Sequence, residues 1–190
     1  MMDREIVIVS GLPRSGTSLM MQMLASGGLE VMTDNARTAD VDNPRGYFEL
    51  EQVKAIKRDA SWLKQAGGKV FKMVSLLLYD LPTNYRYRII FMERNLDEIL
   101  ASQGKMLQRL GREAGSPDDM RRSFTTHLTK LNAWLAQQSH IAVLRVGYQD
   151  LLTEPLAQAK IVNQFLARDL DAEKMAQAVD QSLYRNRKQA

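Results

Sequence analysis

Short runs of β-branched residues alternate along the chain with longer stretches whose apolar side chains return every three or four positions. The first run, Glu5-Ile6-Val7-Ile8-Val9, is unbroken by any polar residue after Glu5 and has the length of a strand buried on both faces. A loop from Ser10 to Gly16 follows, and then an apolar helix through Leu24, so the chain opens on a strand–loop–helix unit. From residue 30 to 47 no period holds, and Asn35, Asp42, Asn43, Pro44 and Gly46 fall there. That stretch reads as a long irregular connection, of the kind that moves or binds, and is a candidate lid.

Residues 48 to about 65 place Leu50, Val53, Ile56, Ala60 and Leu63 on one face, which predicts a helix ended by Gly67-Gly68. Lys69 to Val74 and Arg88 to Met92 read as further strands. Asn95, with Glu98 three residues on, is a capping-box pattern opening a helix to about Leu110, with Leu96, Ile99, Leu100, Met106 and Leu110 as its buried stripe. Ser116-Pro117-Asp118-Asp119 supplies an N-cap, a proline at the first helical position and two first-turn acids, so a long helix to about Gln138 is expected. A strand from Ile141 to Val146 comes next, then a helix from Thr153-Glu154-Pro155 to about Ala167 and a shorter one capped by Asp171. Strands separated by helices, without internal repeats, predict an α/β protein of three layers, α/β/α, around a mainly parallel sheet.

Length and composition narrow the chemistry. The 190 residues are expected to form a single domain, 1–190, with an ordinary content of 45% hydrophobic residues. The absence of cysteine excludes disulfides, thiol nucleophiles and thiolate-bound metals, and two histidines leave little for a histidine-rich metal site. No uncharged apolar run approaches the ~18 residues that span a bilayer, and the N-terminus lacks a signal-peptide core, so a cytoplasmic protein is expected. The excess of 26 Lys+Arg over 22 Asp+Glu favours anionic ligands only weakly.

The loop Gly11-Leu12-Pro13-Arg14-Ser15-Gly16-Thr17-Ser18 stands between a buried strand and a helix, where a phosphate loop belongs. Backbone N–H groups of Ser15, Gly16, Thr17 and Ser18 are expected to point into it, and the positive end of the helix dipole adds to their pull on an anion. A nucleotide-hydrolysing loop would carry lysine after its second glycine, but Thr17 stands there and the cation is Arg14. Neither later strand ends in a magnesium-holding acid of the usual kind, since Ile89-Ile90-Phe91-Met92 runs into Glu93-Arg94 and Val143 to Val146 into Gly147. An anion site without a metal fits better.

At this point the sequence resembles the sulfotransferases, enzymes that move a sulfuryl group from 3′-phosphoadenosine 5′-phosphosulfate (PAPS) to a hydroxyl or amine. Pro13-Arg14-Ser15-Gly16-Thr17-Ser18 is similar to the family's 5′-phosphosulfate loop. Arg94 with Ser102 eight residues later matches the strand-end arginine and helix serine that grip the 3′-phosphate. Tyr148-Gln149-Asp150-Leu151-Leu152 with Pro155 resembles the segment whose tyrosine approaches the adenine. Asn43-Pro44-Arg45-Gly46-Tyr47-Phe48-Glu49 and Leu183-Tyr184-Arg185-Asn186-Arg187 look like stretches of compact bacterial-type members, and the three main segments run from residue 6 to about 166.

The resemblance implies a P-loop nucleoside-triphosphate-hydrolase-like fold and PAPS as donor, with no metal. It also implies a small-molecule or carbohydrate acceptor, no nucleic-acid partner, no membrane span, and leaves a homo-oligomer open. Arg14 would lie over the bridging oxygen where charge develops; as arginine, where many members have lysine, its role shrinks to electrostatic stabilisation. His127 and His140 are poor candidates for the base, the first on an apolar helix face and the second just before a strand. Glu49 and Glu51 are better placed to take the acceptor's proton, as a glutamate does in carbohydrate-modifying relatives, although both also suit a helix N-terminus. Arg45 and Lys72 read as solvated surface residues with a lesser claim on substrate, and Arg185, Arg187 and Lys188 either close over the 3′-phosphate or form a frayed tail. Met20, Met21, Met23, Trp62 and Trp134 are assigned to packing. The rival readings are a nucleotide kinase or NTPase of P-loop fold and a non-catalytic nucleotide-binding protein of the same fold.

Overall fold

A computed structural model describes residues 5–34, 46–112 and 115–180. The apolar opening run forms β1, Ile6–Gly11, and every residue of it is buried. It pairs in parallel with β2 (Val70–Val74) on one side and β3 (Tyr87–Glu93) on the other, and β4 (Ile141–Gly147) pairs in parallel with β3. The order is therefore β2-β1-β3-β4. Gly11 stands opposite both Val74 and Met92, and Glu93 opposite Gly147, so all four carboxyl ends finish along one edge.

Alternation along β1 sends Val7 and Val9 to one face and Ile6 and Ile8 to the other. The valine face packs against α1 (Thr17–Ser26) and against the C-terminal helices Tyr148–Thr153, Pro155–Leu166 and Ala172–Gln177. The isoleucine face is covered by the short helix α2 (Glu51–Lys54), by 3₁₀ turns at Ser61–Gln65 and Ser75–Asp80, and by the long helix Pro117–Leu135. Between these, α3 (Leu96–Arg109) leaves the end of β3; the long helix is α4, and the three C-terminal helices are α5, α6 and α7 in order. Two helical layers around a parallel sheet are the expected architecture. Met20, Met21 and Met23 are wholly buried, and Trp62 meets Phe71 edge-on at 4.9 Å.

Several expected elements differ. The helix expected over 48–65 is broken: its first part stops at Lys54, and the second is the 3₁₀ turn Ser61–Gln65. Asp59 explains the interruption, because its Oδ1 accepts the Ser61 N–H at 2.9 Å and so offers the backbone an alternative to the helical ladder. Val53, Ile56 and Leu63 are buried all the same, so the apolar period recorded burial and not helical continuity. Leu110, expected in the buried stripe of α3, is exposed, whereas Glu98 and Ser102 are buried together with Ile99. Ser116 caps α4 through its backbone carbonyl, which accepts from Met120, with no side-chain cap bond. The segment around Tyr148 forms the separate helix α5, which ends where Glu154 leaves helical geometry and Pro155 starts α6.

The chain passes from β1 to β2 on one side and returns across the sheet to β3 on the other. Such a reversal leaves a crevice at the carboxyl ends of the two diverging strands, here β1 and β3.

Candidate active site

The loop after β1 is built on two glycines. At Gly11, φ is +152°, and a Cβ would meet Ser15 Oγ at 2.5 Å and the Met92 carbonyl at 2.8 Å. Gly16 has φ of +102°, and a side chain there would run into the ring of Tyr148. The Ser15 N–H, expected to face into the loop, instead donates to the Leu12 carbonyl at 3.2 Å and closes the turn. Gly16, Thr17 and Ser18 open α1, and first-turn N–H groups have no acceptor within their own helix. Beside them Ser15 Oγ is buried and has no hydrogen-bond partner among the described residues. First-turn donors and a buried hydroxyl together fit an anionic group such as phosphate or sulfonate.

Arg14 holds φ of +68°, a left-handed conformation that costs a non-glycine residue about 1–2 kcal/mol. The strained backbone turns its side chain across the crevice, where Nε donates to Ser102 Oγ at 2.9 Å. Arg94 enters from the end of β3: Nε donates to Glu98 Oε2 at 2.9 Å and Nη1 to the Arg14 carbonyl at 3.2 Å. Its guanidinium also lies 4.4 Å from the centre of the Tyr148 ring. The Arg94 and Glu98 side chains are only 9% and 8% exposed. Asn95 accepts from the Asp97 and Glu98 N–H groups and so starts α3 in the phase that puts Glu98 and Ser102, four residues apart, on the face toward the loop. Burial pushes the Tyr148 phenol above its usual pKa, with the Arg94 charge opposing that shift.

Sequence reasoning missed two parts of this arrangement. The local pattern makes Glu98 a capping acid, yet its carboxylate anchors Arg94, which precedes the N-cap Asn95; the available signal is the four-residue spacing of arginine and glutamate across the start of α3. Lys72, expected in solvent, is half-buried in the same cleft, with Nζ 3.3 Å from Ser18 Oγ and donating to the Tyr47 carbonyl. It shares its face of β2 with Val70 and Val74, and the start of α1 lies over that face.

The cleft has a volume of about 520 Å³ and is lined by Arg14, Gly16, Thr17, Ser18, Arg94, Ser102 and Tyr148, together with Lys72 and Glu49. The two candidate bases are separated. Glu49 faces the cleft, whereas Glu51, 66% exposed, pairs with Lys54 Nζ at 2.7 Å and does not line it. Neither histidine reaches the cleft: His127 Nε2 lies 2.9 Å from Ser75 Oγ, and His140 packs its ring 5.9 Å from that of Tyr87. Among the described residues no three His, Asp or Glu side chains come together as a metal site, and no helix is long and apolar enough to cross a membrane. Arg45, Arg185, Arg187, Lys188 and residues 35–45 of the candidate lid lie outside the described residues.

Among curated proteins, none matches the chain. Solved structures do. The sulfotransferase STF1 of Mycobacterium tuberculosis superposes with a TM-score of 0.61 at 16% identity, over 93% of this chain and 70% of that one. A sulfotransferase domain from the curacin biosynthetic pathway gives 0.56 at 15% identity over 95% and 89%. The mouse sulfotransferase SULT7A1, solved in complex with PAP, gives 0.55 at 16% identity over 94% and 63%. At these identities the likenesses establish the fold. The sulfotransferase domain family model matches residues 4–190, nearly the whole chain. The protein thus belongs to the sulfotransferase domain family and is a sulfotransferase, of a family whose enzymes depend on PAPS.

Proposed function

We propose that this enzyme binds PAPS across the carboxyl edge of its sheet and passes the sulfuryl group to a hydroxyl or amine of a small-molecule or carbohydrate acceptor. The 5′-phosphosulfate is held by the loop Arg14 to Ser18, with Lys72 beside it, and the 3′-phosphate by Arg94 and Ser102. Tyr148 stands on the adenine side. When bound, the donor supplies a sulfuryl group whose departure leaves charge on the bridging phosphate oxygen.

The observation that carries this reading is the meeting of two guanidinium groups at the β1/β3 reversal, one donating to Ser102 at 2.9 Å and the other to the carbonyl of Arg14 at 3.2 Å. Arg94 is fixed by the Glu98 carboxylate and the Arg14 carbonyl, so an anion at the 3′ end meets preorganised charge. An anion that takes the Ser102 hydroxyl also frees Arg14 Nε to turn toward the 5′ end. Arg14 remains charged throughout, because a guanidinium does not release its proton in a protein; it stabilises developing negative charge and does not act as an acid. Glu49, in the cleft and not on its rim, takes the proton from the acceptor.

The test is formation of PAP from PAPS, without added metal, in the presence of phenols, sugars, amines and lipid alcohols. Arg14→Ala should lower kcat by a larger factor than it weakens PAP binding. A larger thermal stabilisation by ATP with magnesium than by PAP would instead favour a kinase or NTPase.

A further inference from the structure

Beyond the residues assigned to the donor, the cleft opens against the end of β2. Lys72 and Val74 share one face of that strand, so Val74 stands about 7 Å past the lysine toward the carboxyl edge. Leu77, Leu50 and Val53 line the cleft with it, which makes the wall next to the sulfuryl end apolar.

The apolar surface does not stop at the cleft. Val74 is 44%, Leu76 65% and Tyr79 37% exposed, three large apolar side chains brought to the surface within six residues at the 3₁₀ turn Ser75–Asp80. Val74 and Leu77 face the cleft, whereas Leu76 and Tyr79 line a second, more open groove between the turn and α4. The turn therefore stands as a partition with an apolar crest. It is fixed from α4: Ser75 Oγ lies 2.9 Å from His127 Nε2, and the Tyr79 ring packs 4.9 Å from that of Trp134. The far side of the groove is α4 itself, with Ser123, Thr126, Arg122 and Lys130, the last two carrying long aliphatic stems suited to cover hydrocarbon.

An exposed apolar cluster continuous with a reaction cleft marks what the substrate carries beyond its reacting atom. A sugar would leave its hydroxyls without partners against Val74, Leu77, Leu50 and Val53. We infer that the acceptor is an alcohol with a long hydrocarbon chain, an assignment that rests on the donor arrangement proposed above. Its hydroxyl lies by Lys72 and Glu49, its first carbons lie on Val74 and Leu77, and the rest of the chain crosses the turn over Leu76 into the groove beside Tyr79. The alcohol oxygen forms the new bond to sulfur. The bond from sulfur to the bridging phosphate oxygen breaks with its electron pair going to PAP, and the hydroxyl proton passes to Glu49.

The experiment follows sulfation of 1-butanol, 1-decanol and glucose with PAPS, alongside calorimetric titration of PAP and sedimentation velocity. A methylene covered on one side by protein is worth about a twofold gain, so kcat/KM should be about sixtyfold higher for decanol than for butanol, chiefly through KM, with glucose below decanol. Leu76→Asp should cut the decanol-to-butanol ratio about tenfold, and Leu76→Met should keep it. Leu76 is exposed, so both variants should fold, and their PAP titrations check this. A ratio near one, a ratio unmoved by Leu76→Asp, better use of glucose than of decanol, or no sulfation of any of the three by a protein that binds PAP would overturn the acceptor assignment and leave the donor reading in place. So would a dimer that Leu76→Asp turns into a monomer at an unchanged ratio, since a second copy would then cover the turn. Failure to bind PAP would overturn both.

Discussion

Two ion pairs of similar make-up and opposite character stand at the cleft, one inside it and one at its rim. Arg94 and Glu98, four residues apart, are both less than a tenth exposed, and the guanidinium is further fixed by a backbone carbonyl and an aromatic ring. Lys54 and Glu51, three residues apart on the other side of the same cleft, are each about two-thirds exposed. The first pair holds a cation out of water at the place where two strands diverge. The second neutralises charge on a helix surface. Position in the fold, not spacing or chemistry, makes one pair part of the site and the other part of the rim.

The largest effect expected on turnover tests whether the rim and the interior really differ. Glu49→Gln should reduce kcat by about 10²–10⁴-fold, the usual contribution of a positioned base, with PAP affinity little changed. Glu51→Gln should leave kcat unaltered. Equal losses in the two variants would erase the distinction drawn from their placement.

Next in size is the buried pair. Arg94→Ala should destabilise the protein by about 3–5 kcal/mol, because Glu98 would be left buried without its partner. The double change Arg94→Met/Glu98→Leu should recover most of that stability without recovering PAP binding, which separates the structural role of the pair from its role in the site. Denaturant melts and calorimetry read the two quantities independently.

A smaller loss is expected at Gly16. Alanine there must hold φ near +102° at a cost of about 1–2 kcal/mol and also displace the Tyr148 ring, so PAP affinity and thermal stability should fall together. Breaking the exposed pair by Lys54→Ala should cost no more than about 1 kcal/mol in urea unfolding.

The smallest effect concerns pH and lies outside the cleft. Desolvation pushes His127 below its usual pKa, so the folded protein resists protonating it while the unfolded chain does not. Stability from this residue is therefore present above about pH 6.5 and is lost as the pH falls toward the lower folded value. His127→Gln should flatten the pH dependence of unfolding in that window.

Much of this architecture could be read from the residues alone, for identifiable reasons. β1 and most of β3 are β-branched or aromatic runs buried in a parallel sheet, where continuous apolarity is the signal, and the edge strands β2 and β4 are short apolar runs interrupted by Lys72 and Arg145. The loop and the Arg94–Ser102 spacing were legible because a strand-to-helix turn and a strand-end arginine are local patterns. What escaped depends on contacts distant in sequence. Lys72 looks like a surface lysine until the start of α1, 54 residues earlier, is seen over its face of β2. Glu98 serves as a helix-start acid in the local pattern and as an anchor for Arg94 in the folded chain. The break after Lys54 was hidden because Val53, Ile56 and Leu63 keep a helical period that the packing honours without a continuous helix.

In the function proposed above, two arginines placed just after the neighbouring strands β1 and β3 form a prebuilt site for an adenine nucleotide with an anionic group at each end. Isothermal titration with PAP in the absence of divalent ions tests it most directly. One-to-one binding is expected, weakening about ten- to a hundredfold in the folded Arg94→Met/Glu98→Leu protein, the equivalent of about 1.5–3 kcal/mol for a lost charge-assisted bond. Affinity unchanged by that substitution, or binding that appears only when magnesium is added, would contradict it.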